Sequence, residues 1–484
     1  MIRDIAAGID SSTQSCTVVL RNLSDGKIIA QSRSKHTPTY PPCSEQLPEE
    51  WWNALIECFN NLKEYLPRIA CIAVGGQGHG LVILDENFNS LRKAKLWNDT
   101  ESSKNADDIR RIIEDNYWET HIGSIPGPAL TISKLVWTQE HYNDILEKAK
   151  YIMLPADYLI FKLTGNFVTE RGGGSGTGYL NPYTNEYDYE ILKKCLKTDI
   201  SSKLPKIYPS NSIAGEAKFI DELKELQGAV VGMGTGDNMA AAIGLNCKEG
   251  DTVISIGTSG TVYSVTKKAI KDSHDGMLNL YADATNRFMP MFTTLNSSKV
   301  TDAFRRILNV SFEEFDNLAL SDKLDNGLNL VPYLDGERSP NLPLASGFFT
   351  GMRSNISREN IASTAVKGIV CNLLGGLGIL KSVGVEDNGK IIVTGGGSKS
   401  TAYRQFLADL SSKDIYTCQY VETVAAGAAL YAASSYKNID IQKLMDEWAL
   451  NINKVSSPRD VDFKSIRQSY HFYAKKYEEY IYGK

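Results

Sequence analysis

With 484 residues, 42% of them hydrophobic and 23% charged, the chain is too long for one ordinary core and too apolar for disorder, so two large domains, or three, are expected. A formal net charge of −5 argues against a nucleic-acid surface or an anionic-membrane partner; any phosphate must be held by backbone N–H groups, a metal ion or a few placed cations. Eight dispersed cysteines without a C-x-x-C pair, and six histidines without ligand spacing, argue against a disulfide framework or zinc site and for reduced thiols in the cytoplasm. Residues 1–5 lead almost directly into a strand without a signal peptide's apolar core, and no apolar run is expected to reach the ~18 residues of a membrane span.

In chain order, Ile5–Ile9, a polar turn Asp10–Gln14 and Ser15–Leu20 predict a β-hairpin. Pro48–Leu62 predicts a helix, with a proline at its start and Trp51, Trp52, Leu55, Ile56, Phe59 and Leu62 at helical spacing. Cys71–Val74 is a strand running into Gly75-Gly76-Gln77-Gly78-His79-Gly80, and Ile132–Tyr142 and Asp144–Lys150 read as helices. Arg171–Gly176 reads as a flexible or tightly turned segment. A second hairpin, Val253–Ile256, Gly257–Gly260 and Thr261–Val265, lies half the chain beyond the first. Two such hairpins predict a duplicated architecture, with the junction near Asn246–Gly250 and domains at 1–246 and 247–484. Ile391–Thr394 is a strand entering Gly395-Gly396-Gly397, with a helix from about Thr401.

The strongest chemical signal is Gly232-Met233-Gly234-Thr235-Gly236-Asp237-Asn238 between a strand and a small-residue helix. Asp237 can simply cap that helix; it can also act as a general base, taking a hydroxyl proton as that oxygen attacks phosphorus. Asp10 can form an Asx-turn, or orient Mg²⁺ through water against β- and γ-phosphates. In the second case Thr13 and Thr258 supply hydroxyls and the turn N–H groups cradle phosphate oxygens. Gly395-Gly396-Gly397 is a nucleotide-type turn, though neither G-x-G-x-x-G nor a Walker A loop; tight strand–helix packing is its plain alternative. Gln77, His79, Trp97, Asn98 and Asp99 offer the amide, carboxylate and aromatic groups that sugars select, although a lone histidine such as His79 is more often structural.

Together these segments resemble the FGGY carbohydrate kinases, nearly end to end. The resemblance is carried by the Asp10 hairpin, Ser44-Glu45-Gln46, Trp51-Trp52, Leu96-Trp97-Asn98-Asp99, Lys134-Leu135-Val136-Trp137 and Leu154–Leu159. It continues through Pro332-Tyr333-Leu334-Asp335-Gly336-Glu337-Arg338-Ser339-Pro340 and Glu422–Ala429. It implies an α/β protein of two actin-like (ribonuclease-H-like) ATPase domains around an interdomain cleft, with sugar mostly on the first and ATP mostly on the second. It assigns Asp237 as proton acceptor and Asp10 as the acid near Mg·ATP. The sugar is assigned to Gln77, Gly78, His79, Asp99 and Asn238, and ATP to Thr13, Gly257, Thr258, Gly396, Gly397 and Ser400. The implied reaction is phosphorylation of a ketopentose, D-xylulose to D-xylulose 5-phosphate.

Four positions depart from the family pattern. Gly78 stands where bacterial relatives commonly have methionine, which leaves the sugar pocket roomier. Ser12 and Thr17 replace a glycine and a basic residue in the first hairpin, and Lys367 replaces a frequent glutamate. The alternatives are a kinase of the same build for ribulose, a deoxyketose or glycerol, and a non-catalytic sugar or nucleotide sensor. The sensor is disfavoured because Asp237 is present and no extra N-terminal domain is read. A homodimer is the expected assembly, being the commonest among soluble proteins.

Overall fold

The computed structural model describes residues 2–142, 144–321, 327–460 and 463–483. β1 (Ile5–Ser11) and β2 (Ser15–Asn22) pair antiparallel, with Asp10 opposite Thr17 and Ser11 opposite Cys16. Both strands are buried almost end to end, which is why they read as continuous apolar runs rather than alternating ones. β3 (Ile28–Lys35) extends the meander to the sheet edge. On the other side of β1 lies β4 (Ile69–Gly76), parallel to it, with Asp10 opposite Gly75. β5 (Ile213–Glu216) and β6 (Val230–Gly232) complete the order β5-β6-β4-β1-β2-β3, and β7 (Thr235–Gly236) pairs with the end of β4. Helix α1 (Pro48–Asn61) begins on its proline with Glu49 and Glu50 in the first turn, and buries Trp51, Trp52, Leu55 and Phe59.

The second half repeats the plan. β8 (Thr252–Ile256) pairs antiparallel with β9 (Gly260–Ser264), as β1 does with β2. β10 (Leu278–Ala282) and β11 (Phe288–Thr294) extend that side, while β12 (Ile391–Thr394), parallel to β8, occupies the place of β4. With β13 (Ile415–Cys418) and β14 (Ile452–Ser456) the order is β10-β11-β9-β8-β12-β13-β14. The duplication expected from two hairpins is therefore a duplication of whole sheets.

Three hydrophobic cores result. One surrounds the first sheet, one the second, and a smaller one within residues 81–204 is built on Ile109, Trp118, Leu135 and Ile152. α2 (Asp237–Gly244) follows β7. α3 (Arg358–Ser382) runs through the second core; an 18-residue window of it has a mean hydropathy of 1.5 and is 83% buried inside the protein. It thus reaches the length and apolarity that the sequence reading expected of no segment, because helices and sheet surround it on nearly every side. α4 (Thr401–Ser411) is capped by Ser400, whose hydroxyl accepts from the Tyr403 N–H at 3.1 Å.

α5 (Thr423–Lys437) comes late in the chain yet lies on the first sheet and on α2. Its Ala429, Leu430, Tyr431, Ala432 and Ala433 belong to the first core, along with Val253 and Tyr263 of the second sheet. The contact is backbone to backbone. A Cβ at Gly8 would stand 1.8 Å from the Ala425 carbonyl oxygen, and one at Gly427 would stand 1.9 Å from that of Ala240. Glycine is required there by close approach alone. Arg171–Gly174, read as part of a flexible or tightly turned segment, forms a short helical turn, because the Glu170 carboxylate accepts from the Gly172 and Gly173 N–H groups at 2.8 and 2.7 Å.

Candidate active site

Sheet register brings the two acids together. Asp10 ends β1 opposite Gly75, and β7, which delivers Asp237 to the first position of α2, pairs with Gly75–Gly76 from the other side. The two carboxylates therefore flank one glycine pair, on strands about 10 Å apart across β4. Burial pushes Asp10 up to about 7, opposed by the Ser12 hydroxyl that donates to it and reinforced by the negative charges of Asp237 and Glu422. Burial likewise pushes Asp237 up to about 6, against N–H donation from the Asn238 backbone (2.8 Å) and side chain (2.9 Å) to Oδ1. The helix is capped by Gly236 rather than Asp237. Asp237 thus engages the first turn of α2 through Oδ1, and its second oxygen remains for other work.

On the first-domain side, Gln77 is 2% exposed. Its Oε1 accepts from the Thr13 hydroxyl at 3.1 Å, while its Nε2, like the Asn98 Oδ1, is buried without a partner among the described residues. Buried polar atoms are normally paired, so these two mark where a polar ligand would complete the structure. Beside them, a Cβ at Gly78 would meet nothing within 4 Å. His79 adopts a left-handed φ of 62°. Its carbonyl accepts from the Thr131 hydroxyl (3.1 Å), and its Nδ1 pairs with the Gly176 carbonyl (2.8 Å).

Two sequence assignments change. Thr13 was expected at the phosphates, but its hydroxyl donates to Gln77 and accepts from the Trp97 indole N–H at 2.9 Å, because the turn leans toward the end of β4. Asp99, expected on the sugar, is fully buried; it pairs with the Lys95 ammonium at 3.1 Å and accepts from the Ser44 and Glu101 N–H groups. It fastens the 95–101 loop. Glu45, Asp99, Glu101 and Cys43 are spaced like cation ligands, but the Lys95 ammonium already supplies positive charge to the three carboxylates.

On the second sheet, Ser255 pairs with Thr394, which sets the Gly257–Thr258 turn beside Gly395–Gly397. The Gly257 and Thr258 carbonyls accept from Ser298 and Ser297 N–H groups at 2.9 and 3.2 Å, and Thr258 is exposed. Gly396, Gly397 and Ser400 line a cavity of about 690 Å³ with Arg305, Phe312 and Tyr403, within the size range of small-molecule sites. Ser400 contributes to its wall rather than a free hydroxyl, since its Oγ donates to Asp316 Oδ1 at 2.7 Å. Arg305, Phe312 and Asp316 escaped the sequence reading. They lie on amphipathic helices whose local pattern explains itself without a ligand.

Residues 5–244 match the N-terminal domain of the FGGY family of carbohydrate kinases, and residues 252–436 match its C-terminal domain. The chain belongs to this family. It is an ATP-dependent sugar kinase with the two-domain fold that the family implies. It is 34% identical to a Streptomyces rubiginosus protein named xylulose kinase, over 92% of this chain and 90% of that one. It is 31% identical to a Haemophilus influenzae protein of the same name, over 96% and 98%. The crystal structure of xylulose kinase from Bifidobacterium adolescentis is 30% identical and superposes with a TM-score of 0.86 over 98% of this chain and 99% of that one.

The FGGY assignment gives the missed residues a setting. Tyr281 of β10 and Arg338, both from the second half, approach His79 of the first. Arg338 lay within a motif quoted only for family likeness, and Tyr281 lay in no motif. Neither could be placed beside His79 without the fold.

Proposed function

We propose that this enzyme transfers the γ-phosphoryl group of ATP to D-xylulose, giving D-xylulose 5-phosphate. The observation that carries the reading is the pair Asp10 and Asp237 astride Gly75–Gly76, beside the unpaired Gln77 Nε2 and the open space at Gly78. The names of relatives at 30–34% identity favour xylulose as the acceptor. An ADP-release assay over D-xylulose, ribulose, a deoxyketose and glycerol tests it: D-xylulose should give the highest kcat/KM, and preference for glycerol would refute the reading. Eight free cysteines fit a reducing compartment, and we place the enzyme in the cytoplasm.

In this reading Asp237 takes the proton of the attacking hydroxyl while Asn238 holds its other oxygen in place. Gly257–Thr258 meets the phosphates, and Gly396–Gly397 borders the nucleoside. Mg²⁺ fits the acid side: half-buried Asp10 lies near the negative charges of Asp237 and Glu422, and the Arg33 guanidinium only partly opposes its raised pKa. Asp10 would hold the ion through water, and the ion would supply charge neutralisation at the phosphates. The chain's own contribution is alignment and exclusion of water, a competing acceptor.

The pH dependence follows from the two raised carboxyls. Both must be ionised, so kcat/KM should rise through pH 6 to 7 and level off above, with apparent values belonging to the pair because the charges interact. A profile flat from pH 5 to 8 would contradict the Asp237 assignment.

A further inference from the structure

The FGGY reading places sugar recognition mostly on the first domain, but the structure carries a second-domain group into the same pocket. β10, the edge strand of the second sheet, is laced to the first half along its length. Leu280 N–H donates to the Gly123 carbonyl at 2.8 Å, and Ala282 N–H donates to Ser175 Oγ at 3.1 Å. Between them Tyr281, 3% exposed, sets its ring 5.3 Å from that of His79 at an interplanar angle of 31°. Its hydroxyl stands 3.3 Å from His79 Nε2.

The direction of that bond follows from the partner on the other side of the imidazole. A backbone carbonyl only accepts, so Nδ1 must carry the proton it gives to Gly176, and Nε2 keeps a lone pair. Burial, with Lys134 and Arg338 nearby, holds the ring neutral, with its pKa down at about 3. The Tyr281 O–H is then the donor. The Arg338 guanidinium faces the same phenol and, by charge and hydrogen bonding, opposes the effect of burial on it. Donation thus runs one way, from Tyr281 to His79 to Gly176, with the Arg338 cation near the phenol and a fixed carbonyl at the far end.

Gly176 cannot be exchanged without displacing the ring, since a Cβ there would stand 2.0 Å from His79 Nδ1. Asn279, two residues before Tyr281 on the same face of β10, lies 3.4 Å from Arg338 Nη2 and keeps that side chain over the strand. The imidazole is fixed by Gly176 of the first domain and Tyr281 of the second.

We propose that Tyr281 is a specificity-determining residue of the sugar site: its hydroxyl, supplied by the ATP-side domain, holds the His79 ring, whose tautomer the Gly176 carbonyl sets, in the orientation that the acceptor sugar meets. The inference rests on the sugar-kinase reading of this pocket. It makes sugar affinity depend on how the second domain sits against the first, because the phenol reaches His79 only while β10 is docked on residues 123 and 175.

The test is Tyr281→Phe, which keeps the ring and removes only the donor, in the full-length enzyme. KM for the preferred acceptor should rise about three- to tenfold, the range of one neutral hydrogen bond, while KM for ATP stays within twofold. The His79 Nε2 ¹⁵N signal should shift as it loses its donor while Nδ1 stays protonated, which a purely structural role for the ring would not produce. An unchanged sugar KM with unchanged imidazole signals would overturn the proposal, as would a parallel rise in both KM values. The acceptor used is whichever sugar the wild-type enzyme phosphorylates fastest. A preference for something other than D-xylulose would therefore refute the substrate assignment without touching the Tyr281 comparison.

Discussion

Asp237→Asn is expected to lower kcat by roughly 10²-fold or more while leaving the fold and the dissociation constant for sugar nearly unchanged, on the scale of general-base contributions. The substitution keeps the size of the side chain and an oxygen for the Asn238 donors, and removes only the capacity to accept a proton. Stability should move the other way. Asp237 titrates above its ordinary value in the folded protein, so the folded state holds the proton more tightly than the unfolded one. The ionised carboxylate is therefore a burden that grows as pH rises from about 4 to about 6 and is fully present above that. After allowance for partial exposure, Asp237→Asn should gain about 1–2 kcal/mol at pH 8 and little at pH 4. Single-turnover kinetics with urea unfolding at both pH values would check the pair of effects. Near-normal turnover would remove Asp237 from the base role, and equal stability changes at the two pH values would show that its environment does not favour the protonated form.

Gly427→Ala is expected to cost about 3 kcal/mol or more, far beyond the usual effect of this change in a helix, where alanine is the better helix former. The added methyl would stand 1.9 Å from the Ala240 carbonyl oxygen and 2.6 Å from the Gly244 nitrogen. Both are backbone atoms of α2, so no rotamer change relieves the clash; α5 must move off α2, and α2 begins with Asp237. Activity should therefore fall along with the urea midpoint, in contrast to Asp237→Asn. A wild-type midpoint would mean that α2 and α5 are not held at backbone contact in solution.

These two positions show what the sequence disclosed. Asp237 was legible because a glycine-rich turn and a carboxylate at a helix start form a local pattern, as was the Asp10 hairpin, a polar turn between two apolar runs. Gly427 was legible only as part of a small-residue helix. Alanine and glycine around a whole helix say that it is buried, but not that its neighbour is a sheet more than four hundred residues earlier in the chain. Thr13 was assigned to the phosphates because a hydroxyl in a turn has no preferred side until the strands around it are placed. Asp99 was assigned to the sugar because a carboxylate beside tryptophan and asparagine looks like a sugar ligand; only the buried Lys95 shows that its charge is already spent. Tyr281 and Asp316 meet their partners across 202 and 84 residues and Arg338 meets Asn279 across 59, and no local spacing encodes such a meeting.

The central claim is a single cleft in which a nucleotide seated on the second domain meets a sugar hydroxyl presented to Asp237. Crystals of Asp237→Asn grown with D-xylulose and a non-hydrolysable ATP analogue would test it most directly. The account predicts the nucleoside in the cavity lined by Gly396, Gly397 and Phe312, and a sugar hydroxyl within hydrogen-bond reach of residue 237, about 3–3.5 Å from the γ-phosphorus. A nucleotide bound elsewhere, or a sugar in contact with neither residue 237 nor His79, would contradict it.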